Sequence, residues 1–406
     1  MAELSMLIYP WDLQIDGVER VIDDVASRGV TRLQIATAYH SAEVISPRRA
    51  RSVSIVAEAN RAHLPLPAGS FSGLAVPPSS IAANDPDLYP RVKNAADAAG
   101  IALDGWAIAF HNTDLATAHP DAAIENCFGD AFTHGLCPAS PAARTYAIEL
   151  LDAVAGTGYF DRVLVESLSY LLVAHGHPHE LWGARLDPTT RYLLSLCFCS
   201  ACVDRGVATG IDVDRLRAQV ATELHRTWNV DHPAGRDDDT VAAITSLHMV
   251  WPELAAYTRM RMDVVTELLI EAATAVRGHG SALDVSAAVW GRPAPTNWME
   301  GVDIAQTLAE SDGFVLESYF PTAGEVSAEI DHTLAIRSLT GTDETPLTVA
   351  LTVWPSFSPT RTDFLAKVEA VAACGVDRLA LYNYGTATAG SLEWVDAAAE
   401  RMGTRR

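Results

Sequence analysis

Basic residues are scarce in this chain: 29 Lys and Arg stand against 51 Asp and Glu, a formal charge of −22 over 406 residues. Such a surplus repels phosphate backbones and anionic membrane surfaces at long range, which argues against nucleic acid or a membrane as partner and for a neutral or cationic small molecule. No apolar run approaches the roughly 20 residues that cross a bilayer. The opening residues, Met-Ala-Glu-Leu-Ser-Met-Leu-Ile-Tyr-Pro, lack the basic region, long apolar segment and small-residue cleavage site of a secretory leader, so a cytoplasmic location is expected. There the six cysteines are expected as reduced thiols or metal ligands. A Gly-x-Gly-x-x-Gly turn after a strand, a Walker loop, a Gly-x-Ser-x-Gly elbow and a His-Glu-x-x-His helix are also missing. Their absence weighs against nucleotide cofactors and serine hydrolysis.

What is present is an alternation. Short apolar, β-rich runs occur at Met6 to Trp11, Arg32 to Ala38, Gly105 to His111, Arg162 to Glu166, Leu283 to Trp290, Gly313 to Glu317, Leu347 to Trp354 and Arg378 to Asn383. Between them, helical periodicity covers Gly17 to Ser27, Tyr89 to Ala99, Ala142 to Ala155, Leu254 to Arg277, Val302 to Glu310, Ser327 to Leu339, Arg361 to Ala373 and Ser391 to Met402. Glycines that can stop a helix follow at Gly29, Gly100, Gly278, Gly341 and Gly375. Strand and helix repeated in this way define an α/β protein, here a (β/α)₈ barrel spanning residues 1–406 as one domain. Long irregular stretches at 41 to 88, 112 to 141 and 168 to 253 follow strands 2, 3 and 4 at the end where barrels build their sites. The segment Asp231 to Asp239 reads as an exposed loop tip.

Two of the runs are near copies: Val-Leu-Val-Glu-Ser at 163–167 and Phe-Val-Leu-Glu-Ser at 314–318. Each is a buried parallel strand that ends in a carboxylate, so Glu166 and Glu317 are expected to face one pocket from strands 4 and 6. Glycoside hydrolysis needs such a pair, one carboxylic acid to protonate the leaving oxygen and one carboxylate to attack carbon or activate water. Glu166 is read as nucleophile or base and Glu317 as general acid. Either glutamate alone would also serve to hold a substrate hydroxyl. Other strand ends offer Trp11, Asp12, Tyr39, His40, His111, Asn112, Trp290, Tyr319, Trp354, Asn383 and Tyr384. Aromatic faces stack on the C–H face of a sugar ring while polar groups hold its hydroxyls, so these residues are read as substrate-binding. His175 and His177, just beyond Glu166, join them as a histidine-rich rim.

Cys197-Phe-Cys199-Ser-Ala-Cys202 brings three thiols within reach of one tetrahedral ion, with a fourth ligand from Cys137, Cys127 or a histidine; three thiols filling core space is the alternative. The stretch Leu196–Cys202, followed by Gly210-Ile-Asp-Val-Asp-Arg-Leu-Arg217, resembles a segment of bacterial glycoside-hydrolase-like barrels. The cysteine cluster is similar to that of bacterial β-galactosidases with a structural zinc. Asn126-Cys-Phe-Gly-Asp130, then Leu136-Cys-Pro-Ala-Ser-Pro141 with Arg144, is similar to what precedes strand 4 in uncharacterised actinobacterial glycoside-hydrolase-like barrels. The resemblance covers mainly residues 105 to 217 and implies the barrel, a hydrolase of O-glycosyl bonds and a structural zinc on Cys137, Cys197, Cys199 and Cys202. Two departures accompany it. The zinc β-galactosidases carry their glutamates on strands 4 and 7, and barrels resembling the α-galactosidases, with the pair on strands 4 and 6, usually carry Asp at both.

The expected function is therefore hydrolysis of a small glycoside or oligosaccharide by Glu166 and Glu317, with no cofactor required for catalysis. A metal-dependent sugar isomerase or epimerase on the same fold is the second reading, and a non-catalytic carbohydrate-binding barrel the third. Nothing in these patterns reports oligomeric state.

Overall fold

A computed structural model of the chain describes residues 2–173, 181, 183–184, 186–229, 237–286 and 293–405. Eight parallel strands follow one another around a closed barrel: β1 (Glu3–Ile8), β2 (Arg32–Tyr39), β3 (Ala102–Ile108), β4 (Arg162–Glu166), β5 (Ala282–Ser286), β6 (Gly313–Glu317), β7 (Leu347–Thr352) and β8 (Arg378–Tyr382). Each pairs with its successor, and β1 pairs with both β2 and β8, which closes the ring. Helices α1 (Val18–Ser27), α2 (Leu88–Ala99), α3 (Pro141–Gly156), α4 (Pro252–Arg277), α5 (Ile304–Glu310), α6 (Ala323–Thr340), α7 (Arg361–Ala373) and α8 (Ala389–Met402) form the outer layer. The expected (β/α)₈ barrel is the fold observed, with every strand and helix in its expected place in the order.

The differences lie at element ends. β1 stops at Ile8 because Pro10 opens a short helix, Pro10–Asp16, where its missing N–H costs nothing. The Asp12 carboxylate accepts the Tyr9 N–H at 3.2 Å. Helix α6 starts four residues before its periodicity is visible, because Thr322 and Glu325 form a reciprocal capping box. Thr388 and Ser391 do the same for α8. Gly29, Gly100, Gly341 and Gly375 take positive φ as expected of helix stops, whereas Gly278 stays helical and Gly280, at φ 81°, makes the turn instead. Asp237, inside the segment read as a loop tip, opens the helix Asp237–Val250.

Alternate residues of each strand point to the barrel axis, and they stack in layers. The floor is ionic and alternates in sign through β1 to β5: Glu3, Arg32, Asp104, Arg162 and Asp284, with Arg378 from β8. Arg32 contacts Asp104 at 2.5 Å and Glu3 at 3.2 Å; Arg162 reaches Glu3 at 2.9 Å and Asp284 at 3.8 Å. Burial lifts the Asp104 carboxyl to about 7 against the pull of Arg32 and Arg162. On β6 the floor position is Gly313, where a Cβ would overlap the Asp284 carboxylate. Above this floor sits an apolar layer including Leu7, Leu164, Val315 and Ala350, and above that the mouth.

The three long insertions build around that mouth. After β2 come a hairpin (Glu43–Ile45 with Ser54–Val56) and a short strand, Arg61–Ala62, antiparallel to the end of β2. After β3 come the helix Thr113–Ala118 and the hairpin Ala123–Glu125 with Ala131–Leu136. After β4 come the helices Pro188–Leu194, Ser200–Ala208, Val213–Trp228 and Asp237–Val250. Among the described residues, no helix is long and apolar enough to cross a membrane.

Candidate active site

Glu166 and Glu317 end β4 and β6 and line a single cavity of about 770 Å³ at the C-terminal mouth of the barrel. Each carboxylate is held by a donor from a neighbouring strand. The Trp106 indole N–H on β3 donates to Glu166 Oε2 at 2.9 Å, and the Ser286 hydroxyl at the end of β5 donates to Glu317 Oε1 at 2.5 Å. Ser286 stands level with Glu166 in the β4–β5 ladder and with Val315 in the β5–β6 ladder. It therefore bridges the strands that carry the pair.

Burial raises both glutamates, unequally. Glu166 is pushed up to about 7, its indole hydrogen bond holding it back. Glu317 rises well above the usual carboxylate range: burial comes first, the neighbouring Glu166 charge second, and Glu300 adds to it against the Ser286 hydrogen bond. Two like charges in one recess cannot both ionise cheaply, so near neutral pH the arrangement favours one carboxylate and one carboxylic acid.

Aromatic rings make the walls. The hydroxyls of Tyr9, Tyr39 and Tyr382 form a triangle, with Tyr9 at 2.5 Å from Tyr382 and 3.1 Å from Tyr39, and Tyr39 at 3.5 Å from Tyr382. Trp106 lies against all three rings, at 5.0 to 6.1 Å between centroids. Tyr319 and Trp354 also pack on Tyr382, at 5.9 and 5.3 Å between ring centroids. His40 stacks between Tyr39 and His111, and burial lowers its pKa, which keeps the ring neutral.

Of the residues singled out in the sequence, Glu166, Glu317, Tyr39, His40, His111, Tyr319 and Trp354 line the cavity together. Five others are not among its lining residues. Trp11 is buried in a stack on Tyr9. Asp12 is fully buried against Arg49, 2.6 Å away, and burial lifts its carboxyl to about 6 even against the pull of that guanidinium. Asn112 caps the helix Thr113–Ala118 through the Leu115 N–H. Asn383 accepts the Gly385 N–H, and Tyr384 donates to Asp24 and lies under the Arg48 guanidinium. Asp12, Asn112 and Tyr384 thus spend their polarity on the protein itself. His175, His177 and Trp290 lie outside the described residues. Tyr9, Trp106, Tyr382 and Ser286 are the functional candidates that sequence reading missed. Their signal was parity: Trp106, Tyr382 and Ser286 fall on the inward-facing register of β3, β8 and β5, and Tyr9 continues that of β1 one residue past its end.

The second constellation is sulfur. Cys137, at the end of the hairpin after β3, meets Cys197, Cys199 and Cys202 from the insertion after β4, and all four Sγ atoms lie within 4.8 Å of one another. Cys137 Sγ is 3.6 Å from Cys197, 3.5 Å from Cys199 and 3.5 Å from Cys202. A tetrahedron with Zn–S arms of about 2.3 Å has edges of about 3.8 Å, so the donor set and its spacing fit that ion. Outer donors are also in place: the Glu125 N–H points to Cys197 Sγ at 3.4 Å and the Tyr170 hydroxyl lies 3.4 Å from Cys202 Sγ. Cys127, the other cysteine weighed as fourth ligand, stays apart, its thiol pushed up to about 11 by burial.

A closed ring of eight parallel strands with an aromatic-walled cavity at the C-terminal mouth defines the class, a (β/α)₈-barrel protein. No protein-family model matches the chain, and no curated protein sequence resembles it. Solved structures do resemble it in fold. A β-galactosidase from the psychrophilic Marinomonas ef1 superposes with a TM-score of 0.56 at 10% identity, over 98% of this chain and 59% of that one. The catalytic domain of a β-amylase from Paenibacillus polymyxa gives 0.56 at 11%, over 98% and 97%. An α-L-fucosidase isoenzyme from Paenibacillus thiaminolyticus gives 0.54 at 13%, over 98% and 49%. The chain thus spans only about half to three-fifths of the galactosidase and the fucosidase. All three names describe glycoside hydrolases.

Proposed function

We propose that this protein is a glycoside hydrolase acting on a small glycoside or oligosaccharide. The observation that carries the reading is the pair of unequally raised glutamates in one aromatic cavity, Glu166 at about 7 and Glu317 higher. Glu317, protonated, delivers its proton to the glycosidic oxygen as the C–O bond breaks. Glu166, ionised and steadied by the Trp106 N–H, attacks the anomeric carbon or takes a proton from the water that does. The aromatic walls of Tyr39, Tyr319 and Trp354 offer stacking faces for a sugar ring. The glycoside hydrolases among the structural neighbours agree with this reading but share too little sequence to carry it.

The test is turnover of a panel of aryl glycosides by Glu166→Gln and Glu317→Gln. Both are expected to lose most of their activity, and a Glu317→Ala variant is expected to retain more on a dinitrophenyl leaving group, which needs no proton. Wild-type rates in both Gln variants overturn the assignment.

A structural zinc on Cys137, Cys197, Cys199 and Cys202 belongs to the same reading. It would tie the insertion after β3 to that after β4 and take no part in the reaction. A cytoplasmic location also belongs to it, because such a site requires reduced thiols and all six cysteines are free.

A further inference from the structure

A second hollow, of about 250 Å³, opens beside the glutamate cavity. Its wall includes Arg20, Arg48, Arg49 and Arg51, together with Asp16 and Tyr384. Three of these arginines come from the segment Pro47-Arg48-Arg49-Ala50-Arg51, at the tip of the hairpin that follows β2. Two are used internally: Arg49 is locked between Asp12 at 2.6 Å and Asp16 at 2.8 Å, and Arg20 pairs with Asp16 at 3.0 Å. The other two are not neutralised. Arg48 is fixed by Nη1, which donates to the carbonyls of Tyr384 and Ala387 at 2.6 Å each, and by the Tyr384 ring 4.5 Å below it. Arg48 and Arg51 have no carboxylate partner among the described residues. Four guanidinium groups therefore meet two carboxylates, a local surplus of about two positive charges in a chain of net charge −22. Where acids so outnumber bases, a carboxylate is within reach of most surface arginines. Two left without one in the same concave site mark a place kept for an anion from outside.

We infer that this hollow binds a phosphate- or sulfate-sized oxyanion, with Arg48 and Arg51 as its charged ligands. Guanidinium forks match tetrahedral oxyanions, and here one fork is preset by the chain's own carbonyls. The position also fits a substituent on a bound sugar. Pro47 and Thr386 line the glutamate cavity, while Arg48, Tyr384 and Gly385, next to them in the chain, line this hollow, so the two lie side by side. The anion is then either free in solution or an ester on a saccharide seated in the larger cavity; only the second arm rests on the hydrolase reading.

Isothermal titration calorimetry of the full chain with inorganic phosphate, at constant ionic strength, tests it. Saturable one-site binding is expected, weakened by about tenfold in Arg51→Gln and further in Arg48→Gln/Arg51→Gln. Glucose 6-phosphate is titrated alongside glucose. Binding of the ester about tenfold or more tighter than inorganic phosphate assigns the anion to a sugar substituent; equal affinities assign a free anion. No saturable phosphate binding, or binding that Arg51→Gln leaves unchanged, overturns the proposal. Arg51 is exposed and outside every ion pair described, so that variant folds and decides the question even if the double variant does not. The readout is heat of binding, so it fails independently of any failure to find a hydrolysed substrate.

Discussion

Replacing Glu166 by Gln should make the folded protein more stable and the active site useless, and the size of the first effect depends on pH. In the folded state the Glu166 carboxyl titrates near 7 against an ordinary value of 4.5, because burial penalises its charge more than the Trp106 N–H favours it. Between those two values the folded state holds a proton that the unfolded state has already lost, so stability falls as pH rises through the window and the full cost stands above about 7. A shift of about 2.5 units corresponds to about 3 kcal/mol. Gln has no charge to bury, yet its amide oxygen can still accept the indole N–H. Glu166→Gln is therefore expected to be more stable than wild type by about 3 kcal/mol at pH 8 and by less than about 1 kcal/mol at pH 5. With an unfolding entropy of about 2.1 cal/mol/K per residue, that gain raises Tm by about 4 °C at pH 8. Thermal melts or denaturant titrations of both proteins at the two pH values measure it, alongside turnover, which should fall by about a hundredfold or more. A gain that is the same at both pH values, or a loss at pH 8, refutes the claim that this carboxylate is held ionised at a cost.

The rate profile should show the same pair: kcat/KM rises with an apparent pKa near 7 as Glu166 ionises and falls at higher pH as Glu317 loses its proton. Trp106→Phe removes the donor that favours the Glu166 carboxylate, so the rising limb should move up by about one pH unit. Arg162→Met leaves Glu3, Asp104 and Asp284 short of a cation at the barrel floor and should destabilise the fold by about 3 to 5 kcal/mol, measured by denaturant titration. Chelation, or Cys137→Ser, should release zinc measurable by a colorimetric indicator and lower Tm, while protein that remains folded should keep its turnover of any glycoside it hydrolyses.

The barrel was legible because its strands are buried on both faces and so read as continuous apolar runs, and because the helices between them carry a clear period. The ends were less legible, since they depend on local caps: the α6 and α8 starts rest on Thr322 and Thr388, which carry no hydrophobic signal. At the site, side chains that look alike in sequence separate by what lies across the fold. Asp12 and Glu166 are both acids at the end of a β-run, but Arg49 from the insertion after β2 claims the first and nothing cationic among the described residues claims the second. The parity that identifies inward residues also fails once. Gln34 and Tyr39, of opposite parity on β2, both reach the cavity, because the ladder to β3 slips by a residue between Ala36 and Ala38.

The two near-identical strands carry more than a shared glutamate. On β4 the inward residues are Arg162, Leu164 and Glu166; on β6 they are Gly313, Val315 and Glu317. Each strand thus gives the barrel floor, plug and mouth in five residues, and the glutamate is the third step of that pattern. The plug matters to the chemistry. Leu164 and Val315, with Leu7 and Ala350, stand between the carboxyl pair and the arginines of the floor, so Arg32 and Arg162 lower the floor acids but do not count among the groups acting on Glu166 or Glu317. That layer also supplies the burial that raises both carboxyls, while the floor beneath it, with Arg32, Arg162 and Arg378 against Glu3, Asp104 and Asp284, carries no formal surplus of cations to lower them. The repeated apolar residues before each glutamate are therefore part of what keeps one carboxyl protonated near neutral pH, which is the state a general acid requires.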